Sequence, residues 1–430
     1  MSVQFKYLFG MAILVMMACK KDSVNNPKPV ISVTSPTSSH YFTAFDTILI
    51  SGQVNDNELI QSITISLKDV NNVSVAQRIS IFPQTKEHTL NEKMYLDNIH
   101  LNSGQYNMTI VANDGENETH KFINVNINSF PKTRKGVFLF SNNGTTTSIT
   151  KLDSAFNASI FQTVSGDFLK GVVNSYDQEI ISCGSTTGDL TAFDVGSGQL
   201  LWSVNNNATG FAFFTGVSAT KNEVFVSYYN RTIQSYLSGG IPKFSAEASI
   251  STYATQSVVH HDELFIAEQP EISGADIRLV AYYMASGIEK QQMLLNEDVQ
   301  SMFSFSENEL VLFNNGGGAG VIKVYDIAQN SVWQPFTLYS GTIDDVTEIS
   351  NGVYVVAQNG DLSVVNRNNF SKLPYLLGLN ASKVKYDAIT NQLFVVSGSV
   401  LEVYDYSSKT IIATYAHTDI INEISFWYNR

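Results

Sequence analysis

The chain of 430 residues is 43% hydrophobic and only 15% charged, and its 26 Lys and Arg residues leave a net charge of −13. Because neutralising phosphates requires clustered basic side chains, this balance argues against binding to nucleic acid or directly to an anionic membrane surface. The length exceeds that of one ordinary core, so the sequence predicts two or three domains unless a repeat array takes up the residues.

Residues 1–18 have the pattern of a secretory signal, because their apolar run is shorter than the ~20 residues that a membrane span needs. The Met-Met-Ala-Cys that ends at Cys19 resembles the lipobox of bacterial lipoproteins, although methionine stands where leucine is usual. The resemblance implies that Cys19 becomes the lipidated first residue of the mature chain. The alternative is an ordinary cleaved signal followed by an incidental cysteine.

Residues 19–28 predict a polar, proline-containing tether with nothing to bury. Its Cys-Lys-Lys-Asp start resembles those of surface lipoproteins of the Bacteroidota. The resemblance implies a lipid-anchored outer-membrane protein at the cell surface, with a periplasm-facing orientation as the alternative. If Cys19 is lipidated, Cys183 has no partner for an intramolecular disulfide.

Residues 29–128 predict a β-sandwich, since about seven short strands separated by turn signals are typical of immunoglobulin-like and cadherin-like domains. Segments at 52–56 and 104–115 resemble bacterial Ig-like domains, and the resemblance implies that Tyr106 forms a tyrosine corner. Asp56 and Asp114 are candidate calcium ligands by analogy with cadherins. Calcium takes six to eight oxygens, however, and the acidic residues here are scattered, so we expect both aspartates in turns.

Residues 129–135 break this pattern and predict a linker, after which residues 136–430 repeat a unit of about 42 residues, as the four-stranded blades of a β-propeller do. Seven copies align at one strand position, occupied by Leu152, Phe193, Tyr236, Tyr282, Tyr325, Val365 and Tyr404. A second set of anchors, in the preceding strand, gives the same count.

The first copy lacks its leading strand, and the missing strand follows the last copy at residues 421–428. We therefore expect residues 421–428 to pair with residues 136–140 as the inner strand of the first blade, which removes an open sheet edge. The predicted fold class is all-β: an N-terminal Ig/cadherin-like β-sandwich followed by a seven-bladed β-propeller that the C-terminal strand closes.

The copy with Ala192-Phe193-Asp194 and Trp202 resembles the repeat of quinoprotein-like, tryptophan-docking propellers, which are related to WD-repeat proteins. Quinone enzymes of that family typically use adjacent cysteines near the cofactor. Because Cys183 is the single cysteine of the repeat region, we expect a scaffold without a quinone or any other cofactor.

The sequence predicts no metal site and no catalytic residues. His260 and His261 are neighbours and rarely share a metal on a strand or tight turn, so we expect a turn there. The glycine-rich residues 314–320 lack a following helix and predict a hairpin loop rather than a phosphate cradle. No Gly-x-Ser-x-Gly nucleophile motif opens a helix.

Acidic residues near the starts of the inner strands are the candidates for a polysaccharide lyase or hydrolase, which would need paired carboxylates along the central pore. They are Asp167, Asp298, Asp344, Asp345, Glu348 and Asp419. The alternative for all of them is a role in turns and at the solvated surface.

Aromatic residues cluster in the third and fourth copies and predict either packing between blades or a surface that binds a sugar or a protein. They are Phe211, Phe213, Phe214, Tyr228, Tyr229, Tyr253, Tyr282 and Tyr283. As binding residues we select Tyr228, Tyr229, Tyr253 and Tyr283, together with Asp298, Asp344 and Asp345.

The preferred interpretation is a non-catalytic cell-envelope lipoprotein whose propeller binds a protein or a glycan. The membrane is contacted through the lipid anchor, and no nucleic-acid partner is expected. The first alternative is a propeller-type polysaccharide lyase or hydrolase. A second resembles the propeller lipoprotein of outer-membrane barrel assembly, although that family lacks the leading sandwich.

Overall fold

The computed structural model describes residues 26–208, 210–338 and 341–430, and it divides the chain into two compact units, Met1–Pro131 and Lys132–Arg430. The predicted signal segment and Cys19 lie outside the described residues. Within the described residues, no helix has the length and apolar composition needed to cross a membrane.

The first unit consists of two sheets, with strand orders β1-β3-β6 and β2-β8-β7-β4-β5. All neighbouring strands are antiparallel except β2 and β8. The strands are β1 (Val30–Ser35), β2 (Tyr41–Thr43), β3 (Thr47–Ile60), β4 (Ser62–Lys68), β5 (Ile79–Ile81), β6 (Thr85–Tyr95), β7 (Gly104–Asn113) and β8 (Glu118–Asn128).

The two sheets of this unit share one apolar core, because alternate residues of each strand point inward. Ile48 and Ile50 from β3 pack with Ile63 and Ile65 from β4, and all four side chains are fully buried. The Tyr106 hydroxyl donates to the Asn102 carbonyl oxygen at 2.9 Å, which is the upstream backbone contact of a tyrosine corner.

The two aspartates considered as calcium ligands accept hydrogen bonds from nearby backbone. Asp114 Oδ1 accepts from the Glu116 and Asn117 amides at 2.7 and 2.6 Å, and Asp56 Oδ1 accepts from the Glu58 amide at 3.3 Å. Across the described residues no group of three or more metal-ligating side chains converges. Asp114 therefore acts as a turn acceptor, whereas Asp56 lies inside β3 and accepts from the backbone of its own strand.

The second unit is a series of four-stranded antiparallel sheets. The first four contain β9 (Arg134–Asn142), β10 (Thr146–Leu152) and β11 (Ala158–Ser165); β12 (Lys170–Asn174), β13 (Glu179–Cys183), β14 (Leu190–Asp194) and β15 (Leu200–Val204); β16 (Phe214–Thr220), β17 (Glu223–Tyr228), β18 (Thr232–Leu237) and β19 (Ile241–Glu247); and β20 (Thr252–His260), β21 (Glu263–Pro270), β22 (Ile277–Tyr283) and β23 (Glu289–Leu295). A short 3₁₀ helix, Ser238–Gly240, precedes β19.

The remaining sheets have the same strand order. They contain β24 (Asp298–Ser306), β25 (Glu309–Gly316), β26 (Ala319–Asp326) and β27 (Ser331–Leu338); β28 (Ile343–Ser350), β29 (Val353–Gln358), β30 (Gly360–Asn366) and β31 (Ser371–Ala381); and β32 (Lys383–Asp387), β33 (Gln392–Ser397), β34 (Val400–Asp405) and β35 (Ile411–Ala416). The last strand, β36 (Ile421–Tyr428), completes the first sheet in the order β11-β10-β9-β36.

The pairing of β36 with β9 confirms the sequence prediction for residues 421–428. Ile424 lies opposite Leu139 and Trp427 opposite Gly136. Strand β9 begins at Arg134, so residues 134 and 135, which we predicted as linker, belong to the sheet. The Thr133 amide also donates to Asn429 Oδ1 at 2.7 Å, which ties the two ends of this unit together.

The sheets are arranged as a β-propeller. We call β36, β12, β16, β20, β24, β28 and β32 the inner strands, because each of them contacts the inner strand of the next sheet. Side chains of one inner strand satisfy the free edge of its neighbour: Asp345 accepts from the Val384 amide at 3.0 Å and Thr347 from the Tyr386 amide at 3.1 Å. The backbone amides at the edge of a sheet have no partner within that sheet, and these side chains provide one.

Between successive sheets lie apolar clusters built from large side chains. Phe138 and Phe140 of the first sheet pack with Ile180 and Phe193 of the second. Both sheet faces are covered in this way, so the second strands β13, β17 and β21 are buried almost throughout. The core of the propeller is therefore a set of layers between sheets.

Candidate functional site

A cleft of about 600 Å³ opens at one end of the β20–β23 sheet, where β20 begins and β21 ends. The connection from β21 to β22 forms one wall, and the connection from β23 to β24 forms the other. We call it the β20 cleft. Its polar and aromatic lining includes Tyr253, Gln269, Glu271, Asp276 and Asp298.

Two of the residues selected from the sequence, Tyr253 and Asp298, meet in the β20 cleft. Tyr253 is paired with Gln269 across the sheet, and the Gln269 amide donates to Asp298 Oδ1 at 2.9 Å. Burial, followed by the proximity of Tyr229 and Asp298, raises the pKa of Tyr253, so its hydroxyl keeps its proton at neutral pH. That hydroxyl can both donate and accept a hydrogen bond.

A row of aromatic rings leads from the surface to this cleft. The Phe211 side chain is 69% exposed, and its ring stacks on Tyr229 with centroids 6.5 Å apart and planes 9° from parallel. Tyr229 in turn contacts Tyr253 with centroids 5.1 Å apart. We call these three residues the aromatic row, and its outer ring presents an open apolar face.

Tyr228 does not belong to this surface, and the sequence-based selection of Tyr228 as a binding residue is wrong. Its side chain is 7% exposed, its ring contacts Phe213 and Phe214, and its hydroxyl lies 2.7 Å from that of Tyr236. Burial raises its pKa well above the usual range. Tyr228 is the last residue of strand β17, which is buried throughout, and the next residue, Tyr229, is half-buried.

Tyr283 is exposed but lies away from the β20 cleft. It pairs with Glu263 at the opposite end of the same sheet, and its ring lies 5.9 Å from the Lys290 ammonium group. The structure therefore brings together Tyr229, Tyr253 and Asp298, and leaves Tyr283 outside that group.

The Asp167 carboxylate is hydrogen-bonded to the backbone of the loop at residues 185–188. Its carboxylate accepts hydrogen bonds from the backbone amides of Thr186, Thr187 and Gly188 at 2.8–2.9 Å, and from that of Ser185 at 3.2 Å. Burial alone would raise the pKa of Asp167, but these amides outweigh burial and lower it. A carboxylate held ionised in this way serves the loop and is poorly suited to donate a proton.

Asp344 and Asp345 are neighbours in β28, but their side chains have different surroundings. Asp345 accepts from the Val384 amide, whereas burial raises the pKa of Asp344. Burial also raises the pKa of Glu348, four residues along the same strand. Four residues of a strand span ~13 Å of backbone, so the two side chains leave β28 at well-separated positions.

Asp419 lies in the connection before β36, where its backbone amide donates to His417 Nδ1 at 2.9 Å. The other nitrogen of His417 lies 3.3 Å from the hydroxyls of Ser141 and Thr150. Asp419 thus orients the histidine through its backbone, and neither Asp419 nor Asp344 and Asp345 lines the β20 cleft.

A buried charge network between inner strands was missed by the sequence analysis. Glu423 of β36 pairs with Lys170 of β12 at 2.5 Å and with Lys385 of β32 at 3.7 Å. Burial raises the pKa of Glu423, but the charges of Lys170, Lys385 and Lys383 outweigh it and lower the pKa to about 2. The alternation Lys383-Val384-Lys385 was the available signal, but no spacing linked it to Glu423.

The histidine pair forms the turn that the sequence predicts, since β20 ends at His260 and β21 begins at Glu263. Both ring nitrogens of His260 are engaged, at 3.0 Å each, with the Ser304 hydroxyl and the Glu307 carbonyl. Cys183 is fully buried, and burial raises the pKa of its thiol well above the usual value. Such a thiol is unreactive.

Asn314 is a fully buried amide in β25. Neither its nitrogen nor its oxygen has a hydrogen-bond partner in the described residues. Asn315 bonds to Ile343 of the following sheet, so Asn314 faces the other way, toward the β20–β23 sheet. It lies one register position from Asp298, which pairs with Asn315. A buried amide of this kind calls for a water molecule or a ligand.

No protein-family model matches the chain, and no curated protein matches it. Solved structures of similar fold include the WD40 β-propeller domain of Doa1, at 12% identity and TM-score 0.48 over 66% of this chain and 90% of that one. A quinoprotein alcohol dehydrogenase-like protein from Bacteroides thetaiotaomicron is 10% identical, with TM-score 0.46 over 92% and 99% of the two chains. The Neurospora crassa Pan2 WD40 domain is 12% identical, with TM-score 0.46 over 61% and 79%. These likenesses are to β-propellers, and at such identities and TM-scores they carry no argument about function.

Proposed function

We propose that this protein is a non-catalytic, lipid-anchored protein of the bacterial cell envelope whose propeller binds a glycan through the β20 cleft. In this proposal Cys19 carries the anchor and an Ig-like unit acts as a spacer. The propeller is a closed ring of seven blades. The repeat spacing and the pairing of β36 with β9 support the ring, and the lipobox resemblance supports the anchor.

The observation that carries the binding proposal is that the aromatic row ends at Tyr253, which lines the β20 cleft together with hydrogen-bonding side chains. Sugar rings offer apolar faces that pack on aromatic rings and hydroxyls that need polar partners. Phe211 and Tyr253 supply the first kind of contact, and Gln269 and Asp298 supply the second. A protein ligand is the other outcome of the test below.

The binding test compares Tyr253→Ala and Phe211→Ala with Tyr283→Ala, a matched tyrosine variant at the opposite end of the same sheet. A glycan array identifies ligands, and titration calorimetry measures their affinity. Loss of one stacked aromatic contact is worth ~0.5–1.5 kcal/mol, so we expect a roughly three- to tenfold weaker Kd for the cleft variants. Unchanged binding in Tyr253→Ala and Phe211→Ala would place the ligand elsewhere.

The alternative enzyme hypothesis has its own test. Asp344 and Glu348, both in β28, have raised pKa values and are the acids to replace first. We expect no release of reducing ends or unsaturated products from polysaccharides that the protein binds. Turnover that Asp344→Asn or Glu348→Gln abolishes would overturn the non-catalytic assignment.

A further inference from the structure

We infer that the ligand of the β20 cleft is a glycan that carries no carboxylate or sulfate groups. This inference rests on the proposed function and adds the charge class of the ligand. Its basis is the set of carboxylates around the cleft, which the sequence analysis singled out only in part.

Three carboxylates line the β20 cleft: Glu271, Asp276 and Asp298. Glu271 and Asp276 belong to the connection between β21 and β22, and all three side chains are exposed. None of the described residues lining the cleft is a Lys, Arg or His, and none of these carboxylates forms an ion pair in the described part of the chain. Their negative charge is therefore uncompensated within the cleft.

Ionised carboxylates only accept hydrogen bonds, so the ligand groups that meet them must donate. Sugar hydroxyls, acetamido N–H groups and ammonium groups all do so. A uronic acid carboxylate or a sulfate offers only acceptors, and it would also bring like charges together, which opposes binding. The same lining that suits a neutral or amino sugar thus discriminates against an acidic one.

A further feature of the same region calls for a ligand with an apolar face. The aromatic row ends at Tyr253, which lines the cleft, and its outer ring, Phe211, is open to solvent. A sugar ring has such an apolar face and carries the hydroxyl donors that the carboxylates of the cleft can accept from.

The test uses the full chain and a ligand pair that differs only in charge. The strongest neutral or amino oligosaccharide from the array is compared with the form in which its primary hydroxyls are oxidised to carboxylates, using calorimetry at low salt. We expect the oxidised form to bind about tenfold more weakly or worse, and the difference to shrink at high salt because the charges are screened.

In the triple variant Glu271→Gln, Asp276→Asn, Asp298→Asn, the affinity for the oxidised oligosaccharide should approach the affinity for the unoxidised one. Its matched control is Asp262→Asn, Glu289→Gln, Glu307→Gln, which removes three exposed carboxylates at or near the opposite end of this sheet and of β24. The control should leave the difference unchanged. Both variants are checked for an unaltered thermal midpoint.

Equal or tighter binding of the oxidised ligand would overturn the inference while leaving glycan binding in place. A charge preference that the control variant removes equally well would also overturn it, because the effect would then come from net charge. Failure of every glycan to bind would overturn the proposed function itself, and the inference with it.

Discussion

Glu179 shows how a single carboxylate can join two sheets. It is 1% exposed, and it accepts hydrogen bonds from Trp202 Nε1 at 3.2 Å in its own sheet. It also accepts from the Ser238 hydroxyl at 2.9 Å and the Gly239 amide at 3.1 Å in the next sheet. The Trp202 ring stacks on Tyr236 of that sheet, so one buried acid fixes both the tryptophan and the neighbouring backbone.

Replacing Glu179 should therefore destabilise the propeller. Glu179→Ala leaves the buried Trp202 Nε1 and the donors of the exposed Ser238 and Gly239 without their acceptor. We expect a loss of roughly 2 kcal/mol in the free energy of unfolding, with a smaller loss for Glu179→Gln. Chemical denaturation measures the change. As a control, Glu247→Gln removes an ion pair to Arg231 whose carboxylate side is 69% exposed, and it should cost less than ~1 kcal/mol. Equal effects of the two changes would contradict this account.

The repeat pattern located equivalent strand positions, but it did not determine which side chains are exposed. Phe193 and Tyr325 were assigned to equivalent strand positions and both are buried. The sequence did not show which of Tyr228 and Tyr229 is buried, because that depends on the residue at which the strand ends. Asp167 likewise looked like the other acids until the backbone amides around it were known.

Strand β36 completes the first sheet of the propeller with residues from the far end of the chain. Its pairing with β9 could be predicted, since a strand was missing at one end of the repeat array and present at the other. Its charge network with β12 and β32 could not, because three strands far apart in sequence supply Glu423, Lys170 and Lys385. No local pattern encodes such a meeting.

The charge of Glu423 should make stability depend on pH. A pKa lowered from 4.5 to about 2 stabilises the fold above pH ~4.5, and this contribution is lost as the pH falls toward ~2. We expect Glu423→Gln to lower the free energy of unfolding by roughly 3 kcal/mol at pH 7, and the wild type and variant to converge near pH 2. Denaturation curves between pH 2 and 7 test this; a constant difference would refute it, and the exposed Glu307→Gln serves as control.

Removing β36 should open the propeller. A chain that ends at Ile420 leaves an edge of β9 unpaired, and we expect loss of cooperative unfolding and concentration-dependent aggregation. A synthetic peptide of residues 418–430 should restore a sharp thermal transition when added in trans. The same peptide with Asp in place of the buried Ile421 and Ile424 should not restore it, and restoration by both peptides would show that the strand acts without its apolar contacts.

On the scale of the whole molecule, the chain contains two units with separate cores. The apolar cluster of the first unit contains residues up to Phe130, and the clusters of the second begin at Val137. Sequence periodicity distinguished them because short strands with irregular spacing give way to repeats of about 42 residues. The predicted linker extends two residues into β9, because the first strand of a repeat array has no preceding copy with which to compare it.

Each unit should therefore fold without the other. We expect residues 132–430 and residues 26–131, produced separately, to unfold cooperatively at the midpoints of the corresponding transitions of the full chain. Differential scanning calorimetry and circular dichroism of the three proteins provide the measurement. A fragment that is unfolded by itself would show that its stability depends on the remainder of the chain.

The pairing of β9 with β36 also has a consequence for biogenesis. At ~5–20 residues per second, the roughly 280 residues between these strands take about 15–60 s to synthesise. During that time the nascent β9 has one side without its native neighbour, and its apolar side chains are available to holdase chaperones. The first sheet therefore cannot be completed until β36 has been synthesised, so closure of the propeller is a late step of its folding.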